Sequence, residues 1–294
     1  MQRGAFVRLF LLTALVMVAF AANSVLNRMA LAGGEIDALL FAVYRVGSGA
    51  LALAVLVLIR DRRVPLAGPW RLIGVLSLSV YMLGFSLAYV VLDAGVGALI
   101  LFGGVQVTMF AGAVAAGERV PFLRWVGAGV AFAGLAWLVW PGSGAAASLL
   151  HCGLMLAAAL GWGIYSLVGA RAGDPLQATA ANFILSVPLF LLLILSVPVS
   201  PEAVPATGRG IVLALMSGIV TSAMGYALWY SVLPRLQASL AAVGQLTVPV
   251  IALAGGVVFL GEAVTWQLVA ASVLVLGGIA LSVLAPRWTG GSGG

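Results

Sequence analysis

Apolar residues run along this chain in blocks of about twenty, separated by short polar turns. A helix needs about 20 such residues to cross the hydrocarbon core of a bilayer. The blocks fall at roughly 8–31, 36–59, 70–92, 95–116, 122–140, 148–170, 176–197, 209–233, 238–260 and 265–285. The pattern predicts an all-α polytopic membrane protein with ten transmembrane helices. The turns leave no room for a soluble domain. The longest, 60–69 and 198–208, carry the Pro residues and charges of loops.

The pattern repeats. Phe20-Ala-Ala-Asn-Ser-Val-Leu-Asn-Arg28 returns as Trp162-Gly-Ile-Tyr-Ser-Leu-Val-Gly-Ala-Arg171, with Ser24 matching Ser166, 142 positions on. Gly84-Phe-Ser-Leu-Ala-Tyr89 answers Gly225-Tyr-Ala-Leu-Trp-Tyr230, and Gly117-Glu118 and Gly134-Leu135 answer Gly261-Glu262 and Gly278-Ile279. Four matches in order at nearly one spacing indicate two homologous halves: a first five-helix repeat over 1–146, a second over 147–288, and a flexible tail at 289–294. Five spans per half force the second half into the membrane upside down. Inverted repeats of this kind are the architecture of alternating-access carriers, with the site near the midplane between the halves.

Composition agrees. Of 294 residues 63% are hydrophobic and 7% charged, against about 25% charged in soluble domains, and the 38 glycines suit helices that approach closely in lipid. All 14 basic residues are Arg. They are scattered over turns rather than gathered in a stripe, which excludes a nucleic-acid surface. Arg3, Arg8, Arg60, Arg62, Arg63, Arg71, Arg119, Arg124, Arg171, Arg235 and Arg287 share one side of the ten-span arrangement, so the positive-inside rule predicts cytoplasmic termini. The first run, ending in Ala19-Phe-Ala21, has features of a signal peptide, but its copy at 155–170 makes it a span. One Cys (Cys152) and one His (His151) exclude a disulfide framework and a multi-ligand Cys/His metal site. No cofactor is expected.

Polar and aromatic side chains inside spans need a partner or a function. Phe20, Asn23 and Asn27 share one face of span one, at i, i+3 and i+7, and Trp162 and Tyr165 occupy the equivalent face of span six. Tyr81 and Phe85 on span three, and Ser222, Tyr226 and Trp229 on span eight, do likewise. Gln245 stands four residues before Pro249 on span nine, where Pro frees a carbonyl and can kink the helix. Aromatic faces with a few amides describe a cavity for a flat, apolar, neutral or zwitterionic solute. The candidate binding residues are therefore Phe20, Asn23, Tyr81, Phe85, Trp162, Tyr165, Ser222, Tyr226 and Gln245. Trp70, Trp125, Trp140, Trp266 and Trp288, near span ends, read as interface anchors. A buried Arg45 either meets a substrate carboxylate or holds neighbouring helices through carbonyls and amides. The second is the expectation, which makes Asn27, Arg45 and Pro249 structural or gating residues.

Absences narrow the class. The eight acids (Glu35, Asp37, Asp61, Asp93, Glu118, Asp174, Glu202, Glu262) fall in turns or at span ends. Intramembrane aspartyl chemistry and the usual proton-coupling carboxylate are therefore missing, and a lone His151 at a span edge offers a serine nucleophile little support. The expectation is a non-enzymatic, uncoupled facilitator.

With these residues in view, the chain resembles the ten-helix, EamA-domain branch of the drug/metabolite transporter superfamily. The tandem five-helix repeats, Tyr44-Arg45, the Gly-Glu pairs ending spans four and nine, and Pro249 thirteen residues before Glu262 carry the resemblance, over about residues 5–285. Val105 stands where Pro would in the first half. Within the superfamily the chain is most similar to the YddG-type aromatic amino acid exporters. The resemblance implies a multi-pass carrier of a bacterial-type inner membrane that exports aromatic or other neutral amino acids by alternating access. Spans five and ten would sit apart, with Gly127, Ala131 and Gly134 packed closely against Ala271, Leu274 and Gly278. The alternatives are a carrier for threonine-like amino acids, purines or lipophilic compounds, and, more distantly, an intramembrane enzyme.

The arginine distribution predicts that a single cysteine at position 62 is labelled only from the cytoplasm and one at position 202 only from outside. Labelling of both from one side would remove the inverted arrangement.

Overall fold

A computed structural model describes residues 2–117, 120–140, 148–169, 171–197, 204–236 and 244–284. Glu118, Arg119, Glu202, Arg287 and the tail lie outside the described residues. The chain is all-helical: α1 (Gln2–Leu31), α2 (Ala38–Asp61), α3 (Arg71–Ala88), α4 (Ala94–Ala115), α5 (Phe122–Val139), α6 (Leu149–Gly169), α7 (Pro175–Ser196), α8 (Gly208–Arg235), α9 (Thr247–Leu260) and α10 (Trp266–Leu284). Among the described residues, nine of these are long and apolar enough to cross a membrane, and α9 is a shorter apolar helix. Their outer faces carry exposed side chains such as Leu51, Ile59, Leu72, Phe132, Leu192 and Val273. An apolar exterior around a polar-bearing interior is what a bilayer solvent selects. This is a multi-pass membrane protein.

Local chemistry sets the helix ends. Asp37 caps α2 by accepting from the backbone N–H groups of Leu39 and Leu40, at 2.8 and 3.1 Å. Asp174, followed by Pro175 in the first turn, accepts from Gln177 N–H at 2.9 Å, and Thr207 caps α8 through Gly210 N–H at 3.0 Å. The Gly of each Gly-Glu pair has a physical reason. Gly117 and Gly261 stop α4 and α9 at φ +77° and +67°, in the left-handed region that favours glycine. Span nine is not one helix. The i−4 partner of Pro249 is the Gln245 carbonyl, and the helix is interrupted at Leu246 between them, so α9 begins at Thr247. Val105, its counterpart, sits in an uninterrupted α4.

Two ends of the bundle can be told apart. The near end holds the start of α1 with Asp61, Arg71 and Asp174. The far end holds Arg28, Glu35, Asp93 and Glu262. Helix contacts come in pairs: α3 packs on α6 and α8 on α1, while α4 packs on α6 and α9 on α1. α2 meets α7, and α5 meets α10. The α5–α10 pair packs backbone to backbone through glycines. A Cβ on Gly127 would stand 2.5 Å from the Gly278 carbonyl oxygen, and one on Gly134 2.9 Å from Leu274 Cβ. Without a hydrophobic drive between helices in lipid, such close packing holds them together.

Gly127→Leu should therefore force α5 from α10 and destabilise the protein by about 1–3 kcal/mol, read as a lower melting temperature in detergent. Gly129→Leu, with open space at its Cβ, should melt within a degree or so of the parent. Equal melting of the two variants would discard glycine packing as the bond between these helices.

Candidate functional site

The candidate face of span one meets four other helices at the bundle centre. Phe20, Asn23 and Ser24 of α1, Tyr81 and Phe85 of α3, Leu101 and Phe102 of α4, Trp162 of α6, and Thr221 and Tyr226 of α8 line one small cavity of about 20 Å³. That is room for a single water. Six of the sequence-predicted residues are thus brought together. Tyr165 lies one layer behind, with its ring stacked on Trp162 at 5.5 Å and its hydroxyl donating to Thr179 Oγ1 at 2.8 Å. Gln245, half-buried, and Pro249, buried, are outside the lining.

The rings form a continuous wall. Trp162 sits 4.9 Å from Tyr81 and 5.1 Å from Tyr226 between centroids, Tyr81 sits 5.4 Å from Phe85, and Phe20 sits edge-on to Tyr226 at 5.9 Å. Aromatic pairs at these separations attract by about 0.5–1.5 kcal/mol beyond their buried area. Each contact is also a place where an inserted ring would find a partner.

Beneath the wall lies a polar network centred on Asn23. Its Oδ1 accepts from Ser217 Oγ at 2.6 Å, Thr221 Oγ1 at 2.9 Å and Asn27 Nδ2 at 3.3 Å, while its Nδ2 donates to the Tyr81 hydroxyl at 3.5 Å. Asn27 also donates to Ser217 Oγ at 3.1 Å and accepts from Ser86 Oγ at 3.3 Å. The serine and threonine come from a π-helical stretch, Ser217–Met224, inside α8. Widened turns of this kind recur at functional sites. Here the widening lets Ser217 and Thr221 face α1 while Ser222 faces α2. Gly218, between them, touches the Arg45 carbonyl and Ser48, and no larger residue fits there.

Arg45, fully buried, reaches the neighbouring helices α3 and α8 through hydroxyls. Among the described residues it bonds no carbonyl and no amide. Its Nη2 donates to the Tyr81 hydroxyl at 3.1 Å and its Nε to Ser222 Oγ at 3.4 Å, and its guanidinium carbon lies 4.8 Å from the Phe85 centroid and 5.4 Å from that of Tyr81.

The far end carries a latch built around Arg28. Arg28 donates to the carbonyls of Tyr89 and Val90 and pairs with Asp93 at 3.1 Å and Glu262 at 3.4 Å. Both Glu262 carboxylate oxygens accept from Ala94 N–H at 2.9 Å. One carboxylate after α9 thereby caps α4 and holds α1. Burial pushes the Glu262 carboxyl above its ordinary value, with the Ala94 N–H and Arg28 only partly offsetting this. At the near end, Arg60 pairs with Asp174, and Arg71 donates to the Ala178 carbonyl and Asn182 Oδ1, each at 2.8 Å. A second cavity of about 160 Å³ opens there beside Trp70, Arg71 and Gln177.

The sequence comparisons meet the same architecture. Residues 149–284, from α6 to α10, match the EamA-like transporter family. An uncharacterized protein of Pseudomonas aeruginosa is 46% identical over 281 residues, covering 95% of this chain and 96% of its own. This chain carries an EamA-like transporter family domain in its second half. A second relative, an uncharacterized transporter of Archaeoglobus fulgidus, is 28% identical over 218 residues, covering 72% of this chain and 75% of its own. A protein of known crystal structure superposes with a TM-score of 0.63 at 21% identity, over 93% of this chain and 98% of that one, which shows a shared fold.

The latch makes a signed prediction. A carboxylate whose folded pKa is raised costs stability when ionised, and the cost is fully present above the folded pKa and absent below the unfolded one. Glu262→Gln should therefore melt at or above the parent at pH 7, by about 1 kcal/mol at most, and the difference should vanish as pH falls through the raised pKa. Arg28→Ala, which leaves two carboxylates facing each other, should lose about 3 kcal/mol at pH 7. Thermal unfolding between pH 4 and 8 measures both. A Gln variant weaker than the parent only at neutral pH would make the charged latch a net stabiliser.

Proposed function

We propose that this protein is an inner-membrane carrier that exports aromatic and other neutral amino acids by alternating access, with both termini in the cytoplasm. The observation that carries the reading is the aromatic wall around a central cavity contributed by α1, α3, α4, α6 and α8. Phe20, Asn23, Tyr81, Phe85, Trp162 and Tyr226 touch the solute in this reading. Tyr165 and Ser222 back them, Gln245 contributes from the turn before α9, and Asn27 and Pro249 serve the movement. The two units are residues 1–146 and 147–288. The paired helix contacts support them: every packing between a first-half and a second-half helix described above is either its own counterpart or has one under exchange of halves. Two similar halves that trade conformations give inward- and outward-facing states of similar energy.

The cavity as it stands holds a water, not an indole. Binding an aromatic ring requires the α3–α6 and α1–α8 contacts to separate. The latch of Arg28, Asp93 and Glu262 closes the far end in this state. A carrier drives solute uphill only by binding a second ion with state-dependent affinity, and the described acids stand at helix ends. The reading is therefore exchange down the solute's own gradient.

Counterflow of labelled Phe, Thr and adenine into proteoliposomes tests the class. Trp162→Ala should weaken transport of an aromatic solute by about 1–3 kcal/mol, while Trp266→Ala, 78% exposed at the start of α10, should be nearly silent. Equal effects at equal expression would make Trp162 a packing residue, and saturable adenine flux without Phe flux would replace the substrate class.

A further inference from the structure

Arg45 differs from the arginines that bond across the ends of the bundle. Arg28 and Arg71 behave as structural cations in a membrane protein do: each donates to two or more backbone carbonyls, and Arg28 also pairs with carboxylates. Arg45 does neither. It is fully buried, forms no ion pair among the described residues, and its Nη1 has no hydrogen-bond partner. The hydroxyls of Ser24 and Tyr226 also lack a partner in hydrogen-bonding geometry, and both belong to the cavity lining.

A buried cation without a counter-charge is costly. Desolvation amounts to several kcal/mol, and neutral hydroxyls and ring faces return only part of it. The guanidinium stands directly behind the Tyr81–Phe85 part of the cavity wall, tethered to one of those rings and lying against both. Hydroxyl tethers exchange partners readily, because each can rotate to donate where it now accepts. The group suited to this place brings a full negative charge and accepts bidentately from a planar fork, which describes a carboxylate.

The same environment says what is not recognised. No carboxylate among the described residues reaches the central network, and the Asn23 carbonyl oxygen already accepts from three donors. A substrate ammonium finds hydroxyls and ring faces there but no counter-charge among the described residues.

We propose that Arg45 anchors the carboxylate of the solute in the central site, so that the carrier selects aromatic and apolar monocarboxylates whether or not they bear an α-amino group. This rests on the central aromatic cavity being the transport site, and it reassigns Arg45 from helix support to recognition. The carboxylate reaches Nη1 when the cavity expands around the ring, with the Tyr81 and Phe85 side chains turning aside.

Three compounds of one size separate the possibilities by calorimetric titration into the purified full-length protein: phenylalanine, 3-phenylpropionate and 3-phenylpropionamide. The expected result is that the first two bind within about fivefold of each other and the amide binds about tenfold or more weakly, the usual consequence of losing a charge-assisted hydrogen bond. Arg45→Gln should abolish the preference for acid over amide without lowering the melting temperature, since it removes an unpaired buried charge. Arg45→Lys should retain part of the preference. Equal binding of acid and amide by the parent protein overturns the proposal whatever the variants do. So does binding of phenylalanine without 3-phenylpropionate, which would make the amine the recognised group. An Arg45→Gln protein that melts well below the parent while keeping the preference returns Arg45 to a structural role. If none of the three compounds binds, the aromatic cavity itself is not the site, and the broader transport reading fails first.

Discussion

Inside a bilayer every buried polar group must find its partner in the protein, and Asn23 is where that constraint is concentrated. Its carbonyl oxygen takes hydrogen bonds from Ser217, Thr221 and Asn27, and its amide reaches Tyr81. One side chain thus ties α1 to both α8 and α3. Breaking it would strand several donors in a medium without water, at about 1–3 kcal/mol for each group left unmet. The π-helical widening of α8 follows from the same need, because it presents Ser217 and Thr221 to α1 and Ser222 to α2. Gly218 then lets α2 come close enough for Arg45 to use Ser222. Cavity, network and guanidinium form one connected structure.

Much of the fold was legible because lipid imposes a strong rule. A run of about twenty apolar residues has few alternatives to a helix, and the predicted spans agree with the helices to within a few residues at most boundaries. Span nine is the exception, since Pro249 cannot accept the regular hydrogen-bonding pattern and the helix restarts at Thr247. The glycines of spans five and ten were readable for a similar reason: Gly127, Gly134 and Gly278 share a face, and the α5–α10 pair uses that face. The aromatic wall could be read from helical spacing at Phe20, Tyr81, Phe85, Trp162 and Tyr226.

What escaped the sequence depends on distant pairing. Ser217 and Thr221 look like ordinary helix residues, since a helical Ser or Thr commonly bonds the carbonyl four residues back, as Thr221 does to Ser217 at 2.9 Å. Only the π turn and a partner nearly 200 positions away reveal their second role. Glu262 read as the end of a span. Its meaning lies in Ala94 N–H, which has no neighbour in sequence to announce it. Arg45 was visible as a buried cation, but its lack of a carbonyl or carboxylate partner among the described residues is a statement about everything around it. Local spacing carries no such information.

The latch and the central site set bounds on each other. If the far end opens by α9 leaving α4, Glu262 gives up the Ala94 N–H and its place beside Arg28. Arg28 would keep Asp93 and the carbonyls of Tyr89 and Val90, all contributed from the α3–α4 side. The charge is therefore never left alone, and the step releases one partner rather than the whole cluster. Its cost is a few kcal/mol at most by analogy with partly buried ion pairs. A solute can shift such an equilibrium only by as much as it binds one state better than the other. An aromatic ring held by several faces, with a carboxylate on Arg45, has interaction energy of that order to offer. An empty site has none, so in the proposed exchange cycle the unloaded protein stays latched.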